Sequence, residues 1–559
     1  MRIFSYKWAM AVALVASAAP QASAQGGRGG GAPAAEISKP TVLAPNPRID
    51  ALKRDVLAEV DKRRDLAQQM VDSIFSFSEI GFQEFETQRY LTGILEKEGF
   101  TVQRGVADIP SAWVAKWGSG KPVIALGTDV DGVPQANQKP GVLTRDQLVE
   151  GAPGHGEGHS TGQSLVITAA LAVKAVMERE KLPGTIMVWP GIAEELLATK
   201  AYFVRAGVFK DVDAVLYSHV GNSLGTRWGD GGGSGLISVE YLFKGSSAHA
   251  AAAPWAGKSA LDAVELMNHA WNAKREHLRL AQRSHYVITD GGDQPNVVPS
   301  TAAVWYYFRE NDYERIMEMR ELGDTMAKAA AMMTGTTVTS RVLGSAWPGH
   351  TNRALAEALH ANIQQIGMPE WSAADQQFAK AFQRAMGAPE RGLVTDVSPT
   401  LNGREMIPDS EKLGGPSDDI GDVTWNVPTV TLSFPANVSG GTGHHWTSAI
   451  AEATPVAHKG ALQGAKAHAL TVLDLMMRPE LVKAARDYFD NVQTKQRTYK
   501  PLIGPDDKPA TFLNKENMDR FRPELKKYYY DPTKFKTYLE QLGIAYPPSM
   551  PAAPGGNQP

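Results

Sequence analysis

The 559-residue sequence contains no cysteine, and this absence excludes several kinds of chemistry at once. Without thiols there is no disulfide framework, no thiolate nucleophile and no Cys-based zinc site. Any metal ion must therefore be held by His, Asp and Glu side chains. A chain without thiols also suits an oxidising compartment.

An excess of charge of either sign is also missing. The chain has 57 Lys and Arg residues against 60 Asp and Glu, which gives a formal net charge of −3. Because it carries no basic footprint, no nucleic-acid partner is expected. The hydrophobic content of 43% and the charged content of 21% are ordinary for a globular protein, so disorder is not the default.

Hydrophobic runs of near-membrane length are expected only at the N-terminus. Arg2 and Lys7 lead into an apolar run from Ala9 to Ala19, and Ala22-Ser23-Ala24 fits a small-residue cleavage site. The run is shorter than the roughly 20 residues that span a bilayer. We therefore expect residues 1–24 to be a signal peptide, the protein to be periplasmic or secreted, and no membrane span after cleavage. An uncleaved anchor is the alternative.

Short apolar runs alternate with helical patterns through the first half of the sequence. Strands are predicted at Gly99–Val102, Trp113–Trp117, Pro122–Gly127, Thr185–Trp189 and Ala214–Ser218, and helices over Ile49–Gly99, Leu165–Arg179 and from Ala193 onward. This alternation predicts an α/β sheet with helices on its faces.

The pattern changes after the glycine cluster Gly229–Gly235. The next elements are a strand, a helix, two strands, a helix and a strand, at Leu236–Phe243, Ser259–Lys274, His285–Thr289, Ala302–Phe308, Tyr313–Met333 and Thr336–Val342. This β-α-β-β-α-β order is the ferredoxin-like signature. Since the α/β pattern resumes after Trp347, we predict a mixed-sheet catalytic domain interrupted by a small inserted lid or dimerisation domain.

The predicted organisation has six parts. They are a signal peptide (1–24), a Gly/Ala/Pro-rich tether (25–48), the first part of the catalytic domain (49–234), the inserted domain (235–348), the second part of the catalytic domain (349–490), and a C-terminal extension and tail (491–559). Glycines in both connections of the inserted domain would permit hinge motion.

Several segments at or near predicted strand ends carry His and carboxylate side chains. They are Gly127–Pro134, Gly154–Ser160, Ala193–Glu195, Ser218–His219 and the late segment Gly443–Trp446. In open α/β sheets ligand-binding groups gather at the carboxyl ends of strands. Taken singly, each has an ordinary alternative, such as a turn aspartate, a helix-capping loop, glutamates that complement a helix dipole, or a core histidine.

The order of these segments resembles that of one family. DVDG, GHGEGH, a Glu pair, a strand-end His, an inserted ferredoxin-like domain and a late His follow one another as in the dinuclear-metal amidohydrolases and metallopeptidases, which include aminoacylases, carboxypeptidase G-type enzymes and hippurate hydrolases. The chain looks most like the branch that contains the B subunit of bacterial aminobenzoyl-glutamate hydrolase, from about residue 50 to 490. Supporting stretches are Ser78–Phe82, Ser247–Ala251, Gln294–Pro299 and Ser417–Trp425.

The resemblance implies a zinc-peptidase-like catalytic domain that binds two divalent metal ions, Zn²⁺ or Mn²⁺ or Co²⁺. The matching ligand positions are Glu157, His159, Glu195, His219 and His444. Glu194 matches the general base that takes a proton from the attacking water, and Asp131 matches a supporting aspartate before the metal-binding loop. Such enzymes cleave the amide bond of N-acyl amino acids, aminobenzoyl-glutamate or small peptides.

The resemblance also implies roles for residues of the inserted domain. His249 and Asn296 match positions that stabilise the oxyanion or bind substrate, often across a dimer, and Arg309 matches a position that holds a substrate carboxylate. A homodimer is therefore expected.

One departure from the family pattern lies in the metal loop. The branch usually has Cys at the position of Glu157, and a carboxylate is a harder ligand that favours Mn²⁺ or Co²⁺. For the late ligand, His444 fits the family's Gly-His-x-Trp pattern better than His445.

Two other classes of function stay open. Gly221–Gly225 matches the G-x-S-x-G motif of serine hydrolases, although a helix must follow a nucleophile elbow and the next residues form a very poor helix. The other alternative is a non-catalytic metal- or ligand-binding relative of the family, in which Glu157 marks a degenerate site.

Overall fold

The computed structural model describes residues 43–231, 233–408 and 412–548. The predicted signal peptide, most of the tether and residues 549–559 of the tail lie outside the described residues. The strands are β1 (Thr101–Arg104), β2 (Trp113–Ser119), β3 (Val123–Asp129), β4 (Gly184–Gly191), β5 (Ala214–Gly221), β6 (Gly225–Asp230), β7 (Gly235–Lys244), β8 (Arg283–Asp290), β9 (Thr301–Glu310), β10 (Thr337–Ala346), β11 (His350–Thr351), β12 (Asn402–Arg404) and β13 (Thr429–Pro435).

The described residues also form α-helices. They are α1 (Pro47–Lys62), α2 (Arg64–Phe77), α3 (Phe85–Lys97), α4 (Gly162–Glu180), α5 (Lys200–Arg205), α6 (Ala260–Lys274), α7 (Tyr313–Thr334), α8 (Arg353–Ile366), α9 (Ala373–Ala385), α10 (Ile420–Thr424), α11 (Trp446–Ala449), α12 (Pro455–Met477), α13 (Pro479–Tyr488), α14 (Thr494–Gln496), α15 (Lys515–Leu525) and α16 (Tyr538–Gln541).

The larger sheet is mixed and sets the place of the site. Its strand order is β1-β2-β4-β3-β5-β13-β6-β11, with β12 beside β6. The four central strands β3, β4, β5 and β13 are parallel, so their carboxyl ends share one edge. Asp129 and Gly191 lie opposite each other at that edge. Open parallel sheets bind ligands there, and the following loops carry the site residues.

Alternating side chains of the central strands build two layers of core. Leu126 and Val188 face helices α1, α4, α8 and α12, whereas Ala125, Met187 and Trp189 face the other side. This alternation follows from the twofold period of a strand. The central strands are therefore buried on both faces, which is why they appear in the sequence as continuous apolar runs.

The second sheet has the order β10-β7-β9-β8, and its neighbouring strands are antiparallel. Helices α6 and α7 pack against each other and against β7 and β9. The chain order β7-α6-β8-β9-α7-β10 is β-α-β-β-α-β. The predicted fold class, a mixed-sheet α/β protein with a ferredoxin-like unit, is confirmed. This unit is called the lid unit below.

The prediction of one helix from Ala193 onward is wrong. Residues Glu194–Leu196 form a single 3₁₀ turn, and α5 begins only at Lys200. Ala193 and Leu197 have φ of 50° and 51°, in the left-handed region that interrupts a right-handed helix. Sequence patterning also missed β6, where the glycine-rich segment after β5 pairs with β13 instead of forming a loop.

The C-terminal extension packs onto the catalytic part of the chain. Arg522 on α15 pairs with the buried carboxylate of Glu79, and the backbone N–H of Tyr538 donates to Asp72 Oδ2 at 2.8 Å. The described part of the C-terminal extension, which includes α15 and α16, is thus held against the rest of the chain.

One helix in the described ranges, His159–Glu180, is long and apolar enough to cross a membrane. However, 89% of its most apolar window is buried inside the protein, as in the core helix of a globular fold.

Candidate active site

A strained turn after β4 presents two adjacent glutamates. The carboxylate of Asp131, which follows β3, accepts the backbone N–H groups of Glu194 and Glu195, each at 3.1 Å. The buried carboxylate of Glu84 accepts the N–H of Ala193 at 2.9 Å. Burial raises the pKa of Glu84 to about 8, and the charge of Asp131 adds to the shift. The turn is therefore held by side chains from two other segments.

The predicted histidine and carboxylate ligands converge on this turn. His159 Nδ1 lies 3.8 Å from Glu195 Oε1, and its Nε2 lies 4.0 Å from Glu194 Oε2. His219 Nε2 lies 3.8 Å from Glu157 Oε1, and the rings of His159 and His219 meet edge to face at 5.5 Å. Three segments far apart in sequence thus meet at the carboxyl edge of the sheet.

His444 completes the group from the loop after β13. Its Nε2 lies 3.2 Å from Glu195 Oε2 and 3.4 Å from Glu157 Oε2. The backbone of His444 has φ of 53°, an uncommon conformation for a non-glycine residue that is often found at functional positions. His445 instead hydrogen-bonds Thr447 Oγ1 at 3.0 Å, so the structure brings His444 and not His445 to the cluster.

The remaining histidine of the GHGEGH motif has a different place. The Nε2 atom of His155 hydrogen-bonds the backbone carbonyl of Ile74 at 3.1 Å, and its ring stacks on Phe75. Burial lowers the pKa of His155 to about 3. His155 is thus a buried neutral side chain outside the cluster.

The His and carboxylate atoms of the cluster lie close enough together to coordinate metal cations. Sets of three His or carboxylate atoms lie within 4.8 Å of one another, and these sets share members: Glu157/Glu195/His444, His159/Glu194/Glu195, Asp129/His159/His219 and Asp129/Glu194/Asp418. Among the described residues, the buried atoms His159 Nε2 and Glu195 Oε1 have no hydrogen-bond partner. Imidazole and carboxylate donors suit Zn²⁺, Mn²⁺ or Co²⁺.

The raised pKa values of the buried carboxylates also favour bound cations in this cluster. Burial raises the pKa of Glu194 well above its ordinary value, and the neighbouring carboxylates of Asp129 and Asp418 add to the shift. Burial also raises the pKa of Glu195 well above its ordinary value, although the charge of His159 opposes the shift. So many carboxylates in one buried site repel one another unless cations lie between them.

The sequence patterns predicted no role for Lys200, which is buried among carboxylates near Glu194. Lys200 Nζ lies 2.7 Å from Asp129 Oδ1 and contacts Asp419 Oδ1, and Asp418 Oδ1 is 3.7 Å away. The hydroxyl of Tyr217 donates to Asp129. The sequence signals were the DVDG motif, which begins at Asp129, and the stretch Ser417–Trp425, which contains Asp418 and Asp419. Neither shows that these aspartates meet Lys200.

A cleft of about 1040 Å³ opens beside the cluster, between the larger sheet and the lid unit. Its lining includes Glu157, Glu194, Glu195, His219 and His444 together with Arg309. The Arg309 Nη1 atom donates to Ser417 Oγ at 2.8 Å, which ties β9 of the lid unit to the late loop.

Two predicted residues of the lid unit do not line this cleft. His249 and Asn296 are exposed, and the backbone N–H of Ala250 donates to the Asn296 carbonyl at 3.0 Å. The His249 Nδ1 atom accepts the N–H groups of Ala251 and Ala252 at 3.2 Å. Within one chain these two side chains therefore lie apart from the cluster.

The serine-hydrolase motif is placed unfavourably for that chemistry. Ser223 lies in the turn between β5 and β6, and a strand follows it. A nucleophile elbow requires a strand followed directly by a helix. The geometry therefore gives no support to a Ser223 nucleophile.

Comparison with known proteins agrees with this architecture. The profile of the M20 peptidase dimerisation domain matches residues 232–331. A crystal structure of a protein from methicillin-resistant Staphylococcus aureus, described as an aminohydrolase, aligns with a TM-score of 0.52 at 18% identity and covers 76% of this chain and 100% of that one. This likeness shows a shared fold.

Two sequence relatives are matched over nearly their whole length. The B subunit of the p-aminobenzoyl-glutamate hydrolase of Escherichia coli (strain K12) is 33% identical over 470 residues, which is 80% of this chain and 96% of that protein. The Xaa-Arg dipeptidase of Mus musculus is 26% identical over 449 residues, 79% of this chain and 93% of that protein. The chain therefore belongs to the M20 family of amide- and peptide-bond hydrolases.

Proposed function

We propose that this protein is an exported, two-metal amidohydrolase that cleaves the amide bond of aminobenzoyl-glutamate-like compounds, other N-acyl amino acids or small peptides. The observation that carries the proposal is the meeting of Glu157, His159, Glu195, His219 and His444 beside Glu194, at a cleft that all of them except the buried His159 line. The names of the relatives, an aminobenzoyl-glutamate hydrolase and a dipeptidase, support the choice of substrate class.

Each side chain has a specific task in this proposal. The five ligands would hold two divalent ions, which when bound activate water and polarise the amide carbonyl. Glu194 takes a proton from the attacking water and passes it to the leaving nitrogen. Burial raises the pKa of Glu194 above its ordinary value, and this direction favours a carboxylate that holds the proton before it passes it on.

Two further residues prepare this chemistry. Asp131 fixes the backbone of both glutamates, and its carbonyl lies 3.1 Å from His159 Nδ1, which orients that ring. Arg309 would bind the carboxylate of the substrate from the lid side.

We propose that His249 and Asn296 reach the site of a second copy of the chain, because neither lines the cleft of its own chain.

Replacing Glu194 by alanine tests the assignment of the base. Turnover of aminobenzoyl-glutamate should fall by at least about 10²–10⁴-fold, the usual contribution of general acid–base catalysis. Metal content, measured by elemental analysis, should stay near two ions per chain because the five ligands remain. A matched control is Glu98→Ala, at the exposed end of α3.

The same measurements separate a catalyst from a non-catalytic relative. If Glu194→Ala turned over substrate at the wild-type rate with full metal content, Glu194 would not be the base. If the wild-type protein bound two ions but cleaved none of the compounds with Zn²⁺, Mn²⁺ or Co²⁺, the hydrolase proposal would fail. Export is tested separately, by the N-terminal sequence of the mature protein, which should begin at Gln25.

A further inference from the structure

One carboxylate at the cleft has no task in the reaction proposed so far. Asp418 lines the cleft together with Glu194, and its side chain is 28% exposed. The next residue, Asp419, is fully buried and is not among the residues that line the cleft. A carboxylate oxygen of Asp418 lies within 4.8 Å of a carboxylate oxygen of Glu194. A substrate that reaches the base therefore also reaches Asp418.

Contacts behind the cleft hold Asp418 in place through one of its oxygens. Its Oδ1 atom accepts the backbone N–H of Ile420 at 2.8 Å and the hydroxyl of Tyr217 at 3.5 Å. The same atom lies 3.7 Å from Lys200 Nζ, which is closer to Asp129 Oδ1, at 2.7 Å. The hydrogen bonds that Asp418 accepts from the described residues thus end on Oδ1, and Oδ2 can accept one from a ligand.

The charges around Asp418 leave this end of the cleft negative. Four carboxylates act on the single ammonium group of Lys200, namely those of Asp129, Asp418, Asp419 and Glu194. Three of them, all except Asp419, lie close enough together to coordinate a metal ion, but Lys200 already brings a cation to Asp129. The remaining negative charge attracts a positive group that enters from the cleft.

A positive side chain lies next to Asp418 along the same segment. Arg309 Nη1 donates to Ser417 Oγ at 2.8 Å, one residue before Asp418. The buried Nε atom of Arg309 has no hydrogen-bond partner among the described residues. Burial lowers the pKa of Arg309, and the nearby charge of Glu194 opposes this shift. An amino acid released from an amide carries a carboxylate and an ammonium group on one carbon, and Arg309 and Asp418 match these two charges.

We propose that Asp418 binds the leaving nitrogen of the substrate as this nitrogen becomes an ammonium group. In the hydrolysis the oxygen of water bonds to the carbonyl carbon, and the C–N bond breaks with its electron pair on nitrogen. Both protons of the water end on that nitrogen, so the products are a carboxylate and an ammonium. Asp418 accepts a hydrogen bond from the nitrogen while Glu194 delivers its proton, which stabilises the positive charge that develops there. The inference rests on the proposed function and adds a catalytic residue to it.

An amide and its matching ester test this role. The ester has oxygen in place of the amide nitrogen of aminobenzoyl-glutamate and releases a neutral alcohol, which offers Asp418 no cation. Asp418→Asn keeps the shape of the side chain and removes its charge. With the metal-loaded full chain, kcat/KM for the amide should fall at least about tenfold, the effect of one charged hydrogen bond, and that for the ester less than about threefold. Equal losses for both compounds would overturn the inference.

Asp419→Asn is the matched control. Asp419 also contacts Lys200 but lies outside the cleft, so any loss that its replacement causes should be the same for the amide and the ester. A loss confined to the amide in this variant would assign the effect to the lysine cluster and overturn the inference. Elemental analysis that found a third metal ion in the wild type, absent from Asp418→Asn, would also overturn it.

A binding measurement reads the same contact without turnover. Calorimetry compares glutamate with glutarate, which lacks the amino group, on the metal-loaded protein. The wild type should bind glutamate at least about tenfold more tightly than glutarate, and Asp418→Asn should lose most of this difference. The same ratio in both proteins would overturn the inference. If the wild type cleaved neither compound, the proposed function would fail, and the calorimetric ratio would still decide whether Asp418 binds the amino group.

Discussion

At the scale of single residues, Lys200 shows how much of the site depends on charge balance behind the cleft. Its ammonium group is fully buried between Asp129 and Asp419. Burial alone would lower the pKa of Lys200, but these carboxylates raise it well above its ordinary value. The backbone N–H groups of Thr199 and Lys200 also donate to Asp419 Oδ2, at 3.2 and 3.0 Å. Lys200 and Asp419 together fix the segment that follows the glutamate turn.

We expect Lys200→Met to destabilise the fold strongly. Removing one partner of a buried charge cluster leaves the other charges uncompensated, which costs about 3–5 kcal/mol. The free energy of unfolding in urea measures this loss. Lys483→Met, in an exposed ion pair with Asp487 on α13, should change stability by less than about 1 kcal/mol. Equal stability of the two variants would show that the cluster has no stabilising role.

Residues of the site differ in how far the sequence could predict them. The ligand residues follow apolar runs or lie among glycines, so local pattern together with family resemblance was enough to select them. Lys200 had no such signal. Asp129 and Asp418 lie in the DVDG motif and in Ser417–Trp425, but their pairing with Lys200 arises from contacts between segments more than 70 residues apart. The pairing of charges across such distances depends on the tertiary fold, which no local pattern contains.

At the scale of elements, the junction after β10 joins the lid unit to the larger sheet. The N–H of Trp347 donates to Asp422 Oδ2 at 3.0 Å, and the Tyr499 hydroxyl donates to its Oδ1 at 2.6 Å. The indole N–H of Trp347 donates to the Lys500 carbonyl at 2.6 Å. The C-terminal extension therefore closes over the junction, and Asp422 is buried where the three segments meet.

This junction predicts a pH dependence of stability. Burial raises the pKa of Asp422 from 3.8 to about 7, so the folded state holds a proton that the unfolded state releases at lower pH. The stabilisation is present in full below about pH 4 and is lost as the pH rises to about 7. Relative to Asp422→Asn, which does not titrate, the wild type should thus lose stability across that window.

Urea unfolding of both proteins at pH 5 and pH 8 measures the difference. Buried carboxylates elsewhere in the protein, such as Glu84, titrate in both proteins and cancel in the comparison. Tyr499→Phe is the control, because it removes one hydrogen bond and keeps the carboxyl group. A stability gap that is independent of pH, or one that changes in favour of the wild type as the pH rises, would contradict the assignment.

Helices and strands could be predicted from the sequence where burial alone determines the spacing of apolar residues. The buried parallel strands and the six elements of the lid unit appear in the sequence because each has a clear apolar period. The helix expected from Ala193 does not form, because backbone N–H groups of the turn donate to the carboxylates of Glu84 and Asp131 and the turn begins with Ala193 in the left-handed conformation. Strand β6 was missed because its pairing with β13 is a tertiary contact across about 200 residues, within a segment rich in glycine.

At the scale of the whole molecule, the lid unit carries two predicted site residues that lie outside the cleft of their own chain. His249 and Asn296 are exposed and lie outside the cleft, and Trp255 of the same unit is 82% accessible. The match to the peptidase dimerisation domain, residues 232–331, covers the lid unit from β7 to most of α7 and includes both residues. In a twofold dimer each subunit offers the same surface to the other, so a residue exposed on one chain can complete the site of its partner.

Mixing two inactive variants tests this arrangement. Glu194→Ala lacks the base and keeps His249, whereas His249→Ala keeps the base and lacks the histidine. If His249 acts across the dimer, a mixed dimer has one site with both groups, and equal mixing restores about a quarter of wild-type activity, since half of the dimers are mixed and one of their two sites is complete. Activity that stays at the level of the separate variants, although native mass spectrometry shows mixed dimers, would place His249 outside the partner's chemistry. A mixture of His249→Ala chains with wild-type chains is the reference for subunit exchange. It is mixed in the same way, and every subunit in it keeps the base Glu194.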